Sequence, residues 1–398
     1  MTVLAIIAAL LAGAGLAQAI AGYIAVRKFA SAPLEPQPHS WPAITLLKPL
    51  HGDEPMLEQA LASVCMQDYG TYQIVFGVQS PTDTALPVLE RLRQRFPHLD
   101  ITVVVDPTPR GTNRKVANLI NMFPSAKHDV IVIADSDVHC APDYLERIAA
   151  TLAIPGTGMA TVLYAGIAAS RSLAGLLGSS WINHNVVPGV LMARGLGRQD
   201  SLGATMALRR ETLSAIGGLP ALVDHLADDN VLGKLVLGRG LAVRMADSVT
   251  VTTVPETGLA ELFSHELRWA RTILAVAPIG YAMSVAQFVL FWALLAIVLS
   301  GGSGWAFELF LVAWAVRAAT AVGIDRTLGL AKSGLATAAP IWLLPLRDVL
   351  SMTIMLASYG GDQVEWRGQV MSTGRTDRDD VHVETVTKAT SPRQASAT

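Results

Sequence analysis

The chain has little sulfur for covalent cross-links and little charge. Its 398 residues hold only two cysteines, Cys65 and Cys140, far apart in sequence. Two such thiols supply neither a disulfide framework nor a zinc cluster, and they fit a soluble part that faces a reducing compartment. Charged residues are 16% of the total, against about a quarter in soluble domains. The formal net charge of −2 gives no electrostatic reason to expect a nucleic-acid partner. No internal repeat is visible. What is abundant is apolar residue, 51%, with a mean hydropathy of +0.41. That balance predicts a membrane protein with one soluble domain rather than a soluble enzyme.

Residues 2–26 carry no charge and are long enough to span a bilayer. A cleaved signal peptide is the competing reading, since "AQA" at 17–19 resembles a cleavage site. No Lys or Arg precedes the run, however, and it is long for a signal core. An N-terminal anchor over 1–27 is the reading adopted, with Arg27 and Lys28 placing its far end in the cytoplasm. Three further spans are expected at about 281–300, 305–323 and 337–357, within a C-terminal membrane region 276–358. "GGSG" (301–304) reads as a tight hairpin between the first two. Arg326 and Lys332 mark the next loop as cytoplasmic. Four spans would leave both termini outside and residues 27–275 inside. Arg317, Arg347 and Asp348 fall in apolar stretches, where charges usually face protein interior or a polar cavity. For Arg347, local snorkelling and a functional role both stay open. The tail 372–398 is polar throughout and predicted to be disordered.

Between the anchors, short β-branched runs alternate with amphipathic stretches. "ITLLKPL" (44–50), "YQIVFGV" (72–78), "DITVVVD" (100–106) and "DVIVIAD" (129–135) read as strands, and 84–95 and 113–122 as helices. The alternation predicts an α/β domain, a mostly parallel sheet with helices on both faces. Ligands bind such sheets at the carboxyl ends of strands, which is where the polar residues collect: Lys48 and His51, Gln79 to Asp83, Asp106, Asp135 and Asp137.

Four groups could carry chemistry. Asp135-Ser136-Asp137 follows a buried strand, and carboxylates at i and i+2 there can hold a hard divalent cation on diphosphate oxygens. A turn with one Asp capping the helix near Pro142 explains the motif equally. Asp228 and Asp229 stand at a helix start, where one acid serves as a cap. A second exceeds that need and could act as general base. "GTNRKVANLINM" (111–122) opens a helix with Arg114 and Lys115, a pattern that binds phosphate but also suits an ordinary surface helix. In "HELRWART" (265–272), His265, Arg268, Trp269 and Thr272 share one helix face. An interfacial belt explains an Arg and a Trp, and explains His265 less well. Residues 172–193 lack Asp, Glu, Lys and Arg in "SLAGLLGSSWINHNVVPGVLMA". They read as a membrane-facing acceptor segment, with a buried core helix as the alternative.

Taken in order, "LLKPLHG", "FGVQSPTD", "ADSD", "ADDN" and "HELRW" resemble the ceramide glucosyltransferase group of the inverting GT-A glycosyltransferases. The likeness covers about 41–275 and extends loosely to "LPLRDVLSMTI". Two positions depart from the pattern. Ser80 stands where the family's first aspartate often follows "VQ", so Asp83 is matched to it instead. His265 stands where ceramide enzymes carry Arg or Gln. "HELRWARTI", with "GATMALRRETL" and "HLADD", is more similar to the bacterial hopanoid biosynthesis-associated glycosyltransferases, which attach N-acetylglucosamine to bacteriohopanetetrol.

The resemblance implies a GT-A (nucleotide-diphospho-sugar transferase) domain over 41–275 in a multi-pass protein of the bacterial inner membrane. It implies transfer from a UDP-sugar to a lipid hydroxyl, with inversion. Asp83 and the loop from Lys48 would hold uracil and ribose, with Lys115 and Asp135 also at the donor. Asp135 and Asp137 would hold Mg²⁺ or Mn²⁺. Asp229, or failing it Asp228, would be the base, Arg268 would contact the diphosphate, and Trp269 would pack on donor or acceptor. Three alternatives remain: a ceramide glucosyltransferase using UDP-glucose, a processive polysaccharide synthase, and a non-catalytic membrane transporter or scaffold. Four spans make a polymer channel less plausible, and the charged strand ends argue against the last.

Overall fold

The first four β-branched runs become β1 (Ile44–Pro49), β2 (Tyr72–Val78), β3 (Asp100–Val105) and β4 (Val130–Ala134). The computed structural model describes residues 2–330, 340–361, 363–366 and 369–372. β3, β2, β1 and β4 are adjacent and parallel. β1 is buried along its whole length, as expected for a central strand covered on both sides. Alternate residues point to opposite faces. Ile44 and Leu46, Ile74 and Phe76, Val130 and Val132 pack into one core layer with the helices Leu57–Cys65, Leu86–Arg95 and Tyr144–Ala153. Leu47, Val75, Ile131 and Ile133 pack into the other, with Arg114–Met122 and Asp228–Gly238.

Four further strands, not among those expected, extend the sheet: β5 (Val138–His139), β6 (Thr157–Ala168), β7 (Thr205–Arg209) and β8 (Ala242–Val254). The full order is β3-β2-β1-β4-β7-β6-β8-β5. β7 runs antiparallel to both its neighbours, β6 and β8 are parallel, and β5 is antiparallel to β8. The sheet is therefore mixed with mostly parallel pairing. The reversal between β4 and β7 brings the turn after β4 next to the loop before β7, where the backbone N–H of Asp135 donates to the carbonyl of Ala204 at 3.1 Å.

Among the described residues, three helices are long and apolar enough to cross a membrane: Val3–Ala30, Gly304–Thr327 and Ile341–Ser358. The span expected at 281–300 is not one straight helix. Pro278–Gln287 and Val289–Leu299 meet at 63° and make at most one broken crossing. The bend is packed rather than loose. A Cβ on Gly15 of the first helix would lie 2.1 Å from the Ala286 carbonyl oxygen, so the two backbones meet at a residue without a side chain. Ala8, Ala296 and Ala306 cluster near one end of this bundle, while Tyr23 packs on Gly323 toward the other. The turn at 301–304 therefore lies at the end of the bundle remote from the sheet. Lys332 and the tail beyond Ser372, which carried expectations about topology and disorder, lie outside the described residues.

Residues 172–193 do not face lipid as a unit. They form Leu173–Trp181, a π-helical turn Ile182–Val186, and Val187–Gly195, most of them buried between β6 and the bundle. Asn183 fixes the π turn to β6 through both its amide atoms, to the N–H (2.7 Å) and carbonyl (3.0 Å) of Gly166. Pro188 packs on Gly22 of the first helix. The lack of charge that suggested a lipid-facing segment reflects burial. Arg317, Arg347 and Asp348 are also buried. Arg317 reaches Asp348 at 3.4 Å, and Asp348 accepts from the N–H of Leu290 at 2.8 Å.

Candidate active site

A cavity of about 530 Å³ opens where the sheet meets the membrane-side helices. Its sheet wall holds Arg114, Lys115, Asp135, Asp137, Asp228 and Asp229, and the opposite wall holds His265, Arg268 and Trp269. These nine residues, all singled out from the sequence, line one space. Lys48 and Asp83, expected on the donor side, do not line it.

Lys48 is fully buried, and its ammonium donates to the carbonyl oxygens of Asp135 (2.7 Å) and Val138 (3.2 Å). It fixes the Asp135–Val138 turn from inside and is not free to meet a ligand. Burial pulls its pKa down, against the nearby charges of Cys140, Asp137 and Asp135. Asp83 uses one oxygen to accept from the N–H groups of Gly52 (3.0 Å) and Ala85 (2.9 Å). It ties the loop after β1 to the loop after β2, while His51 and Gln79 from those loops reach the cavity.

Asp135 and Asp137 lie on the turn between β4 and β5, and neither caps the helix that begins at Tyr144. Asp135 is ion-paired to Lys115 at 2.7 Å, and Asp137 accepts a short hydrogen bond from the Thr252 hydroxyl of β8. Burial, then the charge of Asp135, pushes the Asp137 carboxyl up to about 6. Lys115 stays firmly charged: burial opposes this, but Asp135 and Asp228 outweigh it. Asn113 caps its helix by accepting from the N–H of Val116 at 3.1 Å, which directs Arg114 and Lys115 to the cavity.

Asp228 and Asp229 begin the helix Asp228–Gly238 and are not equivalent. Asp228 is buried, sits 3.8 Å from Lys115, and has one carboxylate oxygen without a hydrogen-bond partner. Asp229 is half-buried and accepts from the N–H of Asn230 at 2.8 Å. Burial, then the charge of Asp228, pushes its carboxyl up to about 6. A Cβ on Gly203 would stand 3.1 Å from the second oxygen of Asp229, so this glycine keeps the space before the carboxylate open.

Across the cavity, the helix Leu259–Val276 carries His265, Arg268 and Trp269. His265 forms a short hydrogen bond through Nδ1 to Glu256 Oε1 and sits edge-on to Trp269, centroids 4.9 Å apart. Trp269 in turn faces Trp181 at 5.2 Å. Glu256 is a cavity residue that sequence reasoning missed, as are Glu54, which accepts from the Ser136 hydroxyl at 2.7 Å, and Tyr164. "TVPETG" has no periodicity, and only its place at the carboxyl end of β8 could have flagged the acid.

Two carboxylates on one turn, with Asp137 held up by burial and by the charge of Asp135, form a donor set that a divalent cation would relieve. Among the described residues no three His, Cys, Asp or Glu side chains gather into a ready-made metal cage. One or two carboxylates completed by substrate phosphates is the usual setting for Mg²⁺, so the residues present fit such an ion.

The chain is 23% identical over 246 residues to ceramide glucosyltransferase 1 of Caenorhabditis elegans, covering 62% of this chain and 52% of that protein. It is 32% identical over 126 residues to the ceramide glucosyltransferase of Komagataella phaffii, covering 31% and 25%. The chain thus spans about half the length, or less, of the curated relatives it matches. A mannosyltransferase from Pyrobaculum calidifontis, solved with GDP-Man and Mn²⁺, superposes with a TM-score of 0.51 at 20% identity, covering 89% of this chain and 99% of that one. At that identity the likeness shows the fold, which is GT-A. The profile of glycosyl transferase family 21 matches residues 5–378, nearly the whole chain, and the protein belongs to that family.

Proposed function

We propose that this protein transfers a sugar from a UDP-sugar to a hydroxyl of a membrane lipid, inverting the anomeric carbon. The observation that carries the reading is the single cavity with two unlike walls. One wall is a carboxylate and cation cluster at strand ends, suited to a diphosphate. The other is built from an amphipathic helix and from Trp181, Ile182 and Val186, next to the apolar bundle. An acceptor whose body stays in the leaflet can present its hydroxyl there.

Asp229 takes the proton of the acceptor hydroxyl. The lipid oxygen bonds to the anomeric carbon as the bond to the diphosphate breaks, and UDP leaves. Lys115, Arg114 and Arg268 meet the diphosphate, and Asp228 with Asp135 holds Lys115 in place. Asp135 and Asp137 would hold Mg²⁺ or Mn²⁺, which supplies charge neutralisation on the departing UDP. Asp83 acts through the His51–Gly52 loop on the uridine side, and Trp269 offers a flat apolar wall. The chain would divide into an anchor (1–27), a cytoplasmic catalytic domain (41–275) and a membrane region (276–358), in a bacterial inner membrane.

N-acetylglucosamine and a hopanoid polyol such as bacteriohopanetetrol are the favoured pair, on the motif set that includes His265. Ceramide with UDP-glucose is the second reading, favoured by the names of the curated relatives. Purified full-length protein, given each labelled UDP-sugar with each lipid, tests both. A labelled bacteriohopanetetrol product supports the first and labelled ceramide the second. No glycolipid from any combination would overturn the transferase reading.

A further inference from the structure

Glu256 is nine-tenths buried at the carboxyl end of β8, and it lines the cavity. One carboxylate oxygen is engaged by His265, and the other, Oε2, is buried without a hydrogen-bond partner. Burial alone would raise this carboxyl, but the hydrogen bond and charge of His265 and the charge of Arg268 hold it below the usual range. A charged, desolvated acceptor with an unused lone pair is costly unless a donor meets it. The residue is also held still. Ser172, the cap of the helix Leu173–Trp181, donates to the Glu256 carbonyl at 3.1 Å. Gly178 of that helix packs against Val254 and Leu262 so closely that a Cβ would come within 2.8 Å. His265, which holds the carboxylate, sits edge-on to Trp269, and Trp269 faces Trp181, the apolar, membrane-side part of the cavity, while the acidic and basic cluster lies on the sheet side.

Resting on the reading above, we propose that Glu256, oriented by His265, is an acceptor-recognition group. Its free oxygen accepts a hydrogen bond from a second hydroxyl of the lipid, one that is not glycosylated. The preferred acceptor is then an amphiphile with at least two neighbouring hydroxyls at its polar end, rather than a simple fatty alcohol. A site built to bind a hydroxyl discriminates strongly against the analogue that lacks it, because the protein group is then left unpaired.

The test uses the full chain in detergent micelles with two probes, a long-chain vicinal diol and the matching long-chain mono-alcohol. Wild type should favour the diol in kcat/KM by about tenfold or more, the worth of one charge-assisted hydrogen bond. Glu256→Gln, which removes the charge and one acceptor lone-pair set at constant shape, should collapse that ratio toward one, acting through KM for the diol. Glu256→Asp, which keeps the charge and shortens the reach, carries the same comparison should the glutamine variant not be recovered folded. An unchanged ratio overturns the proposal. So does a rise in KM for the UDP-sugar alone, which would assign the hydroxyl to the donor. If wild type glycosylates no lipid alcohol from any UDP-sugar, the transferase reading fails instead, an outcome distinct from both.

Discussion

Arg347, on the last apolar helix, and Glu266, the residue after His265, form a bidentate ion pair with N–O distances of 2.7 and 2.6 Å. The same guanidinium donates to the carbonyl of Leu177 (3.2 Å) and to the Ser351 hydroxyl (3.0 Å). Three segments that wall the cavity or hold it are thus joined at one buried point, and the pair is neither local nor snorkelling. The relation accounts for the position of the His265 helix against the bundle.

Removing the arginine should therefore be expensive. Arg347→Ala leaves the Glu266 carboxylate buried and unpaired, which costs about 3–5 kcal/mol. Thermal unfolding in detergent should show a clear loss of stability together with a loss of transfer. Arg347→Lys keeps the charge but not the planar fork and should recover only part of both. An Arg347→Ala protein that melts like wild type would remove the clamp.

If Asp229 is the base, as proposed, its titration should govern the pH dependence of transfer. Its carboxyl is pushed up to about 6 by burial and by Asp228, and a general base works only when ionised. kcat/KM for the acceptor should be level above that pH and fall about tenfold per unit below it. The stability linkage has the opposite sign. An unfolded Asp titrates near 4, so between about pH 4 and 6 the folded state binds a proton that the unfolded chain does not. This residue's contribution to stability therefore rises as pH falls through that window. Activity lost near pH 5 without a drop in melting temperature separates base titration from acid unfolding. A flat profile to pH 4 would reassign the base. Asp229→Asn should lower kcat by about 10²–10⁴-fold while UDP binding by calorimetry persists.

The parallel half of the sheet was legible in the sequence because each of its strands is a short, mostly apolar, β-branched run, buried nearly throughout in β1, β2 and β4 and part-exposed only in the edge strand β3. β6 and β8 were not, since Gly158, Gly166 and repeated alanines dilute the signal of β6, and β8 alternates polar and apolar residues over an irregular register. Asp135, Asp137, Asp228 and Asp229 stood out because acids concentrated at element ends exceed what capping needs. Glu256 did not, because its meaning lies in His265, nine residues on, which only the turn between β8 and the next helix brings back to it. Lys48 misled for the same reason reversed: a lysine at a strand end suggests a ligand, while here two carbonyls of the neighbouring turn hold its buried ammonium. The break at Phe288 was hidden because hydropathy records no direction.

Chelation tests the role of Asp135 and Asp137. EDTA should stop transfer, and Mg²⁺ or Mn²⁺ added in excess should restore it. Asp137→Asn should raise the metal concentration needed for half-activity, with the Thr252 hydroxyl still able to hold the amide in place. Full activity in EDTA would take the metal role from both residues.

Gly203 provides a test of geometry that leaves every charged group unchanged. Its missing side chain leaves room for the second oxygen of Asp229, which a Cβ would approach to 3.1 Å, with Cβ and Cγ at 3.4 Å. Gly203→Val therefore forces the carboxylate to move by some tenths of an ångström or more, while the cavity keeps its charge and its cations. A base displaced by about 1 Å loses roughly a hundredfold in rate. The loss should appear in kcat, because no side chain proposed to meet the diphosphate is replaced, and KM for the UDP-sugar should stay near wild type. The melting temperature should change little, since the strain falls on one side chain at the cavity surface. A Gly203→Val enzyme with normal kcat would show that the position of this carboxylate does not matter, and the base would have to be sought elsewhere in the cavity.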